Sequence, residues 1–269
     1  MQGGRFSTVM RLLLFSIIAA LAVSPAAAQV SALDDPSIGG QNRYDNCLLL
    51  IRSAPQNALN AATGWEKNGG GGSAQHCEAV ALVALHRYSD AGSKLDALAR
   101  TAASSADRAE LYDQAGNAWL LARKADSAQN SFNAAIAFKP RDADLYMDRA
   151  RAFALKPDWI SADNDLTAAL AISPGRTDIL VLRASARHAL GKKAEARADI
   201  DQALKLAPSN ADAMEMRGDF RMEAGDQAGA KADWQAVIAQ SPRSAAASTA
   251  RDRLSSLSQP APAKPAAKP

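Results

Sequence analysis

Chemically reactive side chains are scarce in this sequence. Its 269 residues include three histidines, His76, His86 and His188, and two cysteines, Cys47 and Cys77. There is no C-x-x-C pair and no H-E-x-x-H, and "DNDL" (163–166) lacks the glycine and distal glutamate of a calcium loop, so no metal site is expected. Gly69 to Gly72 are not followed by the lysine and hydroxyl residue of a phosphate loop, and read as a flexible turn. His76 and Cys77 are adjacent, but neighbouring side chains on a helix point about 100° apart, a poor geometry for a nucleophile and its base. These absences argue against an enzyme and against a cofactor.

Charge of one sign is also lacking. Lys and Arg number 31 against 28 acids, with no clustered basic stripe, so a nucleic-acid partner is not expected. The most apolar run, Leu12 to Val23, is twelve residues, short of the roughly 20 that span a bilayer. Arg5 and Arg11 flank it, Ser24-Pro25 breaks it and Ala26-Ala27-Ala28 follows, so residues 1–28 read as an export signal cleaved before Gln29. Removing them lowers the formal charge from +3 to +1 and leaves no segment expected to stay in a membrane. A periplasmic location follows. There, two cysteines imply one structural disulfide, Cys47–Cys77, with two buried thiols as the alternative.

A period is what the sequence does have. Pro140, Pro174, Pro208 and Pro242 are separated by 34, 34 and 34 residues. Aligned at that spacing, one column is large and apolar (Tyr112, Tyr146, Leu180, Met214) and a second is small (Gly116, Ala150, Ala184, Gly218). Ala128, Ala162, Ala196 and Ala230 are invariant, and Phe132, Leu166, Ile200 and Trp234 follow four residues later. Large and small residues four apart share a helical face, so each line predicts two helices, A and B, broken at "RKADS", "KPDWIS", "GKKAE" and "GDQAG". The prolines end helix B, and Asp144, Thr177 and Asn210 offer polar starts for the next helix A. One hairpin cannot bury its own apolar face, so the hairpins must stack.

"YDQAGNAW…ADSAQNSF…P" (Tyr112, Ala115, Gly116, Trp119, Ala128, Phe132, Pro140) resembles the tetratricopeptide repeat (TPR) signature. The resemblance covers four lines, 109–142, 143–176, 177–210 and 211–242, and implies an all-α solenoid of stacked antiparallel hairpins, a TPR superhelix. Arg187 and Arg221 depart from it, standing where the family usually carries an aromatic residue, which loosens those hairpins or adapts them to a neighbour. Residues 29–43 read as a flexible segment, 44–105 as two degenerate hairpins, 243–258 as a polar cap and 259–269 (proline-rich) as a disordered tail.

Arg149, Arg183 and Arg217 recur in helix A, and Asp165, Asp199 and Asp233 recur sixteen residues later in helix B. The first line has neither, with Ala115 and Ser131 in their places, which predicts structural ion pairs across each hairpin; Asp165 with Arg183 is the alternative register. The family resemblance implies a concave groove, lined by A helices, that takes a partner peptide or helix. By helical spacing the lining includes Asp113, Asn117, Leu120, Met147, Arg151, Leu155, Ser185, His188, Glu215, Asp219 and Met222. Asp113 and Val181 stand where a carboxylate clamp of the chaperone-binding type would carry lysine, which argues against that clamp. The expectation is an exported protein–protein interaction scaffold of the cell envelope with an unidentified protein partner. The rivals are a glycan-binding or enzyme-accessory cell-wall protein and a membrane-tethered assembly factor.

Overall fold

In a computed structural model, residues 40–258 are described; residues 1–28, read above as an export signal, most of the N-terminal segment and the proline-rich tail lie outside them. The described residues form thirteen helices and no strand: α1 (Gly40–Ser53), α2 (Pro55–Lys67), α3 (Gly71–Ala84), α4 (Tyr88–Thr101), α5 (Ser105–Leu121), α6 (Ala125–Phe138), α7 (Ala143–Ala154), α8 (Trp159–Ile172), α9 (Thr177–Ala189), α10 (Lys193–Leu206), α11 (Ala211–Glu223), α12 (Gln227–Gln240) and α13 (Ala245–Ser258). They fall into two compact units, α1–α8 up to Pro174 and α9–α13 from Gly175. Within each unit, consecutive helices pack as antiparallel hairpins, and the A helices of successive hairpins, α5 with α7 and α9 with α11, touch.

The four prolines act through the residue before them. Lys139, Ser173, Ala207 and Ser241 all leave the helix with φ between −128° and −138° and ψ between 57° and 87°. A following proline disfavours the helical region for its predecessor, so helix B stops one residue earlier, and the same backbone bend recurs every 34 residues. The helix A starts differ in part from expectation. Asn210 does cap α11, accepting from the Ala213 N–H. Asp142, not Asp144, caps α7, because its carboxylate precedes the first turn and accepts from the Asp144 N–H. Thr177 lies inside α9, which has no side-chain cap. Helix A of the first repeat, α5, begins early as well, at Ser105, where Ser104 accepts from the Asp107 N–H. Likewise α1 starts at Gly40, inside the segment expected to be flexible, and α3 takes Gly71 and Gly72 from the glycine turn into its first turn.

Hairpin cores are built on matched pairs. A methyl group at Gly116 would sit 2.5 Å from the Phe132 ring, and one at Gly218 would sit 2.5 Å from the Trp234 indole. Where helix B brings an aliphatic residue instead, Leu166 or Ile200, the same column of helix A holds Ala150 or Ala184. Volume is conserved pair by pair, as close packing demands. Phe132, Trp234, Leu166 and Ile200 are all fully or nearly fully buried.

Arginine–aspartate pairs join the two helices of three hairpins. Arg149 donates through Nε and Nη2 to the Asp165 carboxylate at 2.7 and 2.7 Å. Arg183 grips Asp199 at 3.0 and 2.7 Å, and Arg217 grips Asp233 at 3.0 and 2.7 Å. Arg187 and Arg221, expected to loosen their hairpins, add a second guanidinium to the same carboxylates at 2.9 and 2.8 Å. They tie helix A to helix B by charge where the other hairpins use an aromatic ring. The first hairpin solves the problem from outside itself: Asp96 on α4 accepts from the Trp119 indole and the Ser131 hydroxyl, both at 2.8 Å.

Candidate functional site

The N-terminal hairpins hold no free thiol. Cys47 on α1 and Cys77 on α3 form a disulfide, with their Cα atoms 6.3 Å apart. Next to it His76 is buried, with Nε2 2.7 Å from Gln114 Oε1 and Nδ1 2.7 Å from the Tyr44 hydroxyl. Gln114 turns its amide nitrogen to Glu110, so its oxygen faces the ring; that oxygen can only accept, so Nε2 carries the proton and Nδ1 accepts from Tyr44. Burial lowers the His76 pKa, which keeps this neutral tautomer. His76 is thus a cross-brace between α1, α3 and α5. Nearby, a cavity of about 540 Å³ opens among α2, α3 and α4. Lys94 reaches both Glu78, at 2.7 Å, and Glu66, at 3.2 Å, on its margin.

The residues predicted to line a groove lie on the A helices of both units, but not all of them face outward. Leu120 is 1% exposed and belongs to the core beside Phe132, and Leu155 packs against the same cluster. Helix α5 is a turn longer than the other A helices, but the added turn is at its start, Ser105 to Arg108; Leu120 lies in the last turn, where α5 ends in register with them. Met147 and Ser185 are buried too. The Ser185 hydroxyl donates to the Val181 carbonyl. Met222 is half-buried.

In the first unit, Asp113, Asn117, Asp148 and Arg151 come together. Asn117 Nδ2 donates to Asp113 Oδ1 at 3.0 Å, and Arg151 pairs with Asp148. Burial, reinforced by the charges of Asp148, Glu110, Asp142 and Asp144, lifts the Asp113 carboxyl well above the usual range. Asp148 is raised by burial and partly held back by Arg151. Asp148 was not singled out by spacing; its signal is the turn it shares with Arg151, three residues on.

In the second unit, Glu215 on α11 is wholly buried, and burial followed by the charge of Asp219 pushes its pKa up to about 8. One turn on, Asp219 is held by Arg253 of α13 at 3.0 and 2.7 Å. The His188 ring lies 5.1 Å from the Phe220 ring at a tilt of 31°, with Nε2 2.9 Å from the Glu223 carboxylate but out of hydrogen-bond alignment. The Glu223 pKa, which burial alone would raise, is held low by His188 and Lys193.

One property sets these faces apart. Among the described residues, the buried side-chain polar atoms without a hydrogen-bond partner are Arg151 Nε, His188 Nε2 and both Glu215 carboxylate oxygens. All four belong to the predicted A-helix lining. Among the same residues, no group of three or more His, Cys, Asp and Glu is placed to hold a metal ion, and no helix is long and apolar enough to cross a membrane.

No family model and no curated protein matches the sequence. Solved structures do. A thermophilic TPR protein of Thermus thermophilus matches over 69% of this chain and 97% of its own, with a TM-score of 0.54 at 19% identity. MamA of Desulfovibrio magneticus RS-1, from its residue 41 to its end, matches over 66% of this chain and 98% of its own, with a TM-score of 0.54 at 18% identity. The chain shares the TPR fold with these structures. At such identity the TPR likeness lies in backbone geometry, which small-for-large columns and a recurring proline specify without requiring particular side chains. The TPR columns of this chain are themselves mixed, with arginine or methionine where the first line has tryptophan or tyrosine.

Proposed function

We propose that this TPR protein is a non-catalytic scaffold, exported to the periplasm, that binds a partner peptide or helix along its A-helix faces. The observation that carries this reading is the placement of buried polar atoms with no partner, Arg151 Nε and both Glu215 carboxylate oxygens. Buried polar groups are almost always hydrogen-bonded, and an unpartnered one costs about 1–3 kcal/mol. Here the exceptions fall on Arg151 in the first unit and Glu215 in the second, each on a helix of the kind that a TPR fold presents to partners. A ligand that supplies donors and acceptors there recovers that cost on binding, which is how a surface comes to prefer the bound state.

A glycan platform has less support, because it needs aromatic faces open to a sugar. Phe132 and Trp234 are buried within hairpins, and the Trp119 indole is tied to Asp96. At the one Cys–His pair considered as a nucleophile and base, the sulfur is in a disulfide and both ring nitrogens of His76 are engaged.

The test is cross-linking in cells followed by mass spectrometry, comparing the native chain with a variant carrying Asn117→Lys and Arg151→Glu. Partners captured by the native chain and lost by the variant support the reading. The same partners with both chains, or none with either, overturn it. N-terminal sequencing of the mature protein checks export: a start at Gln29 is expected, and an intact N-terminus overturns it.

A further inference from the structure

Helix α13 stands one period beyond α11: Ala245 is 34 residues after Ala211, and α13 takes the place of a further helix A. No helix B follows it among the described residues. The positions that face helix B in the preceding hairpin, Met214, Gly218 and Arg221, become Ser248, Asp252 and Ser255, all exposed. On its inner side α13 packs against α11 and α12, and its buried side chains are alanines: Ala246, Ala247 and Ala250. Alanines remove little apolar area from water, so this helix is held less firmly than any hairpin with a buried tryptophan or phenylalanine.

Its main polar tie is the two-pronged grip of Arg253 on Asp219. Glu215 lies one turn before Asp219, with no exposed surface and both oxygens unpartnered. The charged groups acting on Glu215 are Asp212 and Asp219 on its own helix and Arg253 from α13. Toward α12 its backbone carbonyl accepts from the Trp234 indole, and toward α9 the next residue, Met216, meets the uncharged Ser185. Two carboxylates one turn apart therefore face a single guanidinium, and its hydrogen bonds all go to Asp219.

We propose that the α11 face bearing Glu215 and Asp219 is the docking site of a partner helix with two basic side chains one turn apart, and that α13, through Arg253, is a built-in competitor that half-fills it. This rests on the reading of the A helices as the binding faces. The partner is a helix because carboxylates at i and i+4 on α11 match cations at the same spacing on a facing helix. It carries small residues around those cations, because α13 meets the site with alanines. Arginine suits it best, since a planar fork satisfies both oxygens of a carboxylate. A cation from outside reaches Glu215 only when α13 leaves; Glu215 then ionises and gains the counter-charge it lacks in the closed state.

Fluorescence anisotropy tests this on the full mature chain, using as probe an alanine-based helical peptide with two arginines four residues apart. A twin peptide with glutamines in those places is the control. Arg253→Ala is expected to bind the arginine probe about tenfold more tightly than the native chain, the effect of one competing charged contact. Glu215→Gln added to Arg253→Ala is expected to remove most of that gain, and the glutamine twin is expected to gain nothing. Equal affinity of the native chain and Arg253→Ala overturns the inference, as does an equal gain by the twin. Arg253→Lys, which keeps the charge without the fork and guards against loss of α13, is expected to give a smaller gain; no gain in either variant overturns the proposal. Asn117→Lys with Arg151→Glu, in the other unit, is expected to leave probe binding unchanged. Loss of cellular partners in that variant with no probe effect from Arg253→Ala would sink this inference alone, and the converse would sink the wider reading alone.

Discussion

Gly218 and Trp234 are fitted to each other, with no room for a methyl group between backbone and indole. Gly218→Ala gains helix propensity of about 1 kcal/mol, but the new methyl group would meet the Trp234 indole at 2.5 Å. Overpacking of this kind costs about 1–3 kcal/mol, so a net destabilisation is expected on urea unfolding. Adding Trp234→Leu to Gly218→Ala recreates the Ala–Leu pairing of Ala150 with Leu166, so the double variant should be more stable than the two separate losses predict. Strict additivity would show that the two columns do not share a contact.

Removing either side of a hairpin ion pair should have unequal effects. Asp199 accepts from both Arg183 and Arg187 and is 3% exposed. Asp199→Ala removes the carboxylate that both guanidiniums share and is expected to cost more than Arg183→Ala, which leaves Asp199 still paired with Arg187. Chemical denaturation of the two variants checks the order; equal losses would mean that Arg187 contributes nothing to the pairing.

The disulfide closes a loop of about 30 residues between α1 and α3, for which loop entropy alone suggests about 3–4 kcal/mol. Reduction, or Cys47→Ser with Cys77→Ser, should therefore open α1 first. Hydrogen exchange is expected to rise in α1 while α9–α12 keep their protection. A uniform loss across the chain would contradict it.

Two buried groups give stability opposite pH slopes. Burial lowers the His76 pKa, so the unfolded state binds the extra proton, and the stability it contributes is lost as pH falls below about 6.5. Glu215 has its folded pKa raised from 4.5 to about 8, so its contribution is fully present below 4.5 and fades as pH rises toward 8. Glu215→Gln should flatten that alkaline decline, raising stability at neutral pH by on the order of a few kcal/mol. Melting curves between pH 5 and 9 decide it; an unchanged alkaline slope would show that Glu215 titrates normally.

Much of this protein was legible in the sequence because its contacts repeat. A contact between helix A and helix B recurs at a separation of sixteen residues, and neighbouring A helices are 34 apart, so packing partners appear as columns. Proline positions, the Gly–aromatic pairing and the Arg–Asp pairs are all of this kind. The lining of the A-helix faces was legible only in part. Helical spacing put Arg151, Glu215 and Asp219 on A helices, but it also admitted Leu120, which packs beside Phe132 in the core.

The period, the hairpins and the match of small to large residues were determined by the sequence alone, since local backbone preference and nearest-neighbour volume suffice for them. Tertiary structure decided where charge is shared unequally. It gave Arg187 and Arg221 to carboxylates that already had a partner. It brought Asp96 from α4 into the first hairpin and set His76 between Tyr44 and Gln114. It also buried Glu215 unpaired while Arg253 went to Asp219. Such outcomes depend on how much water and how many counter-charges surround a group once every neighbour is in place, and a column of residues does not record that.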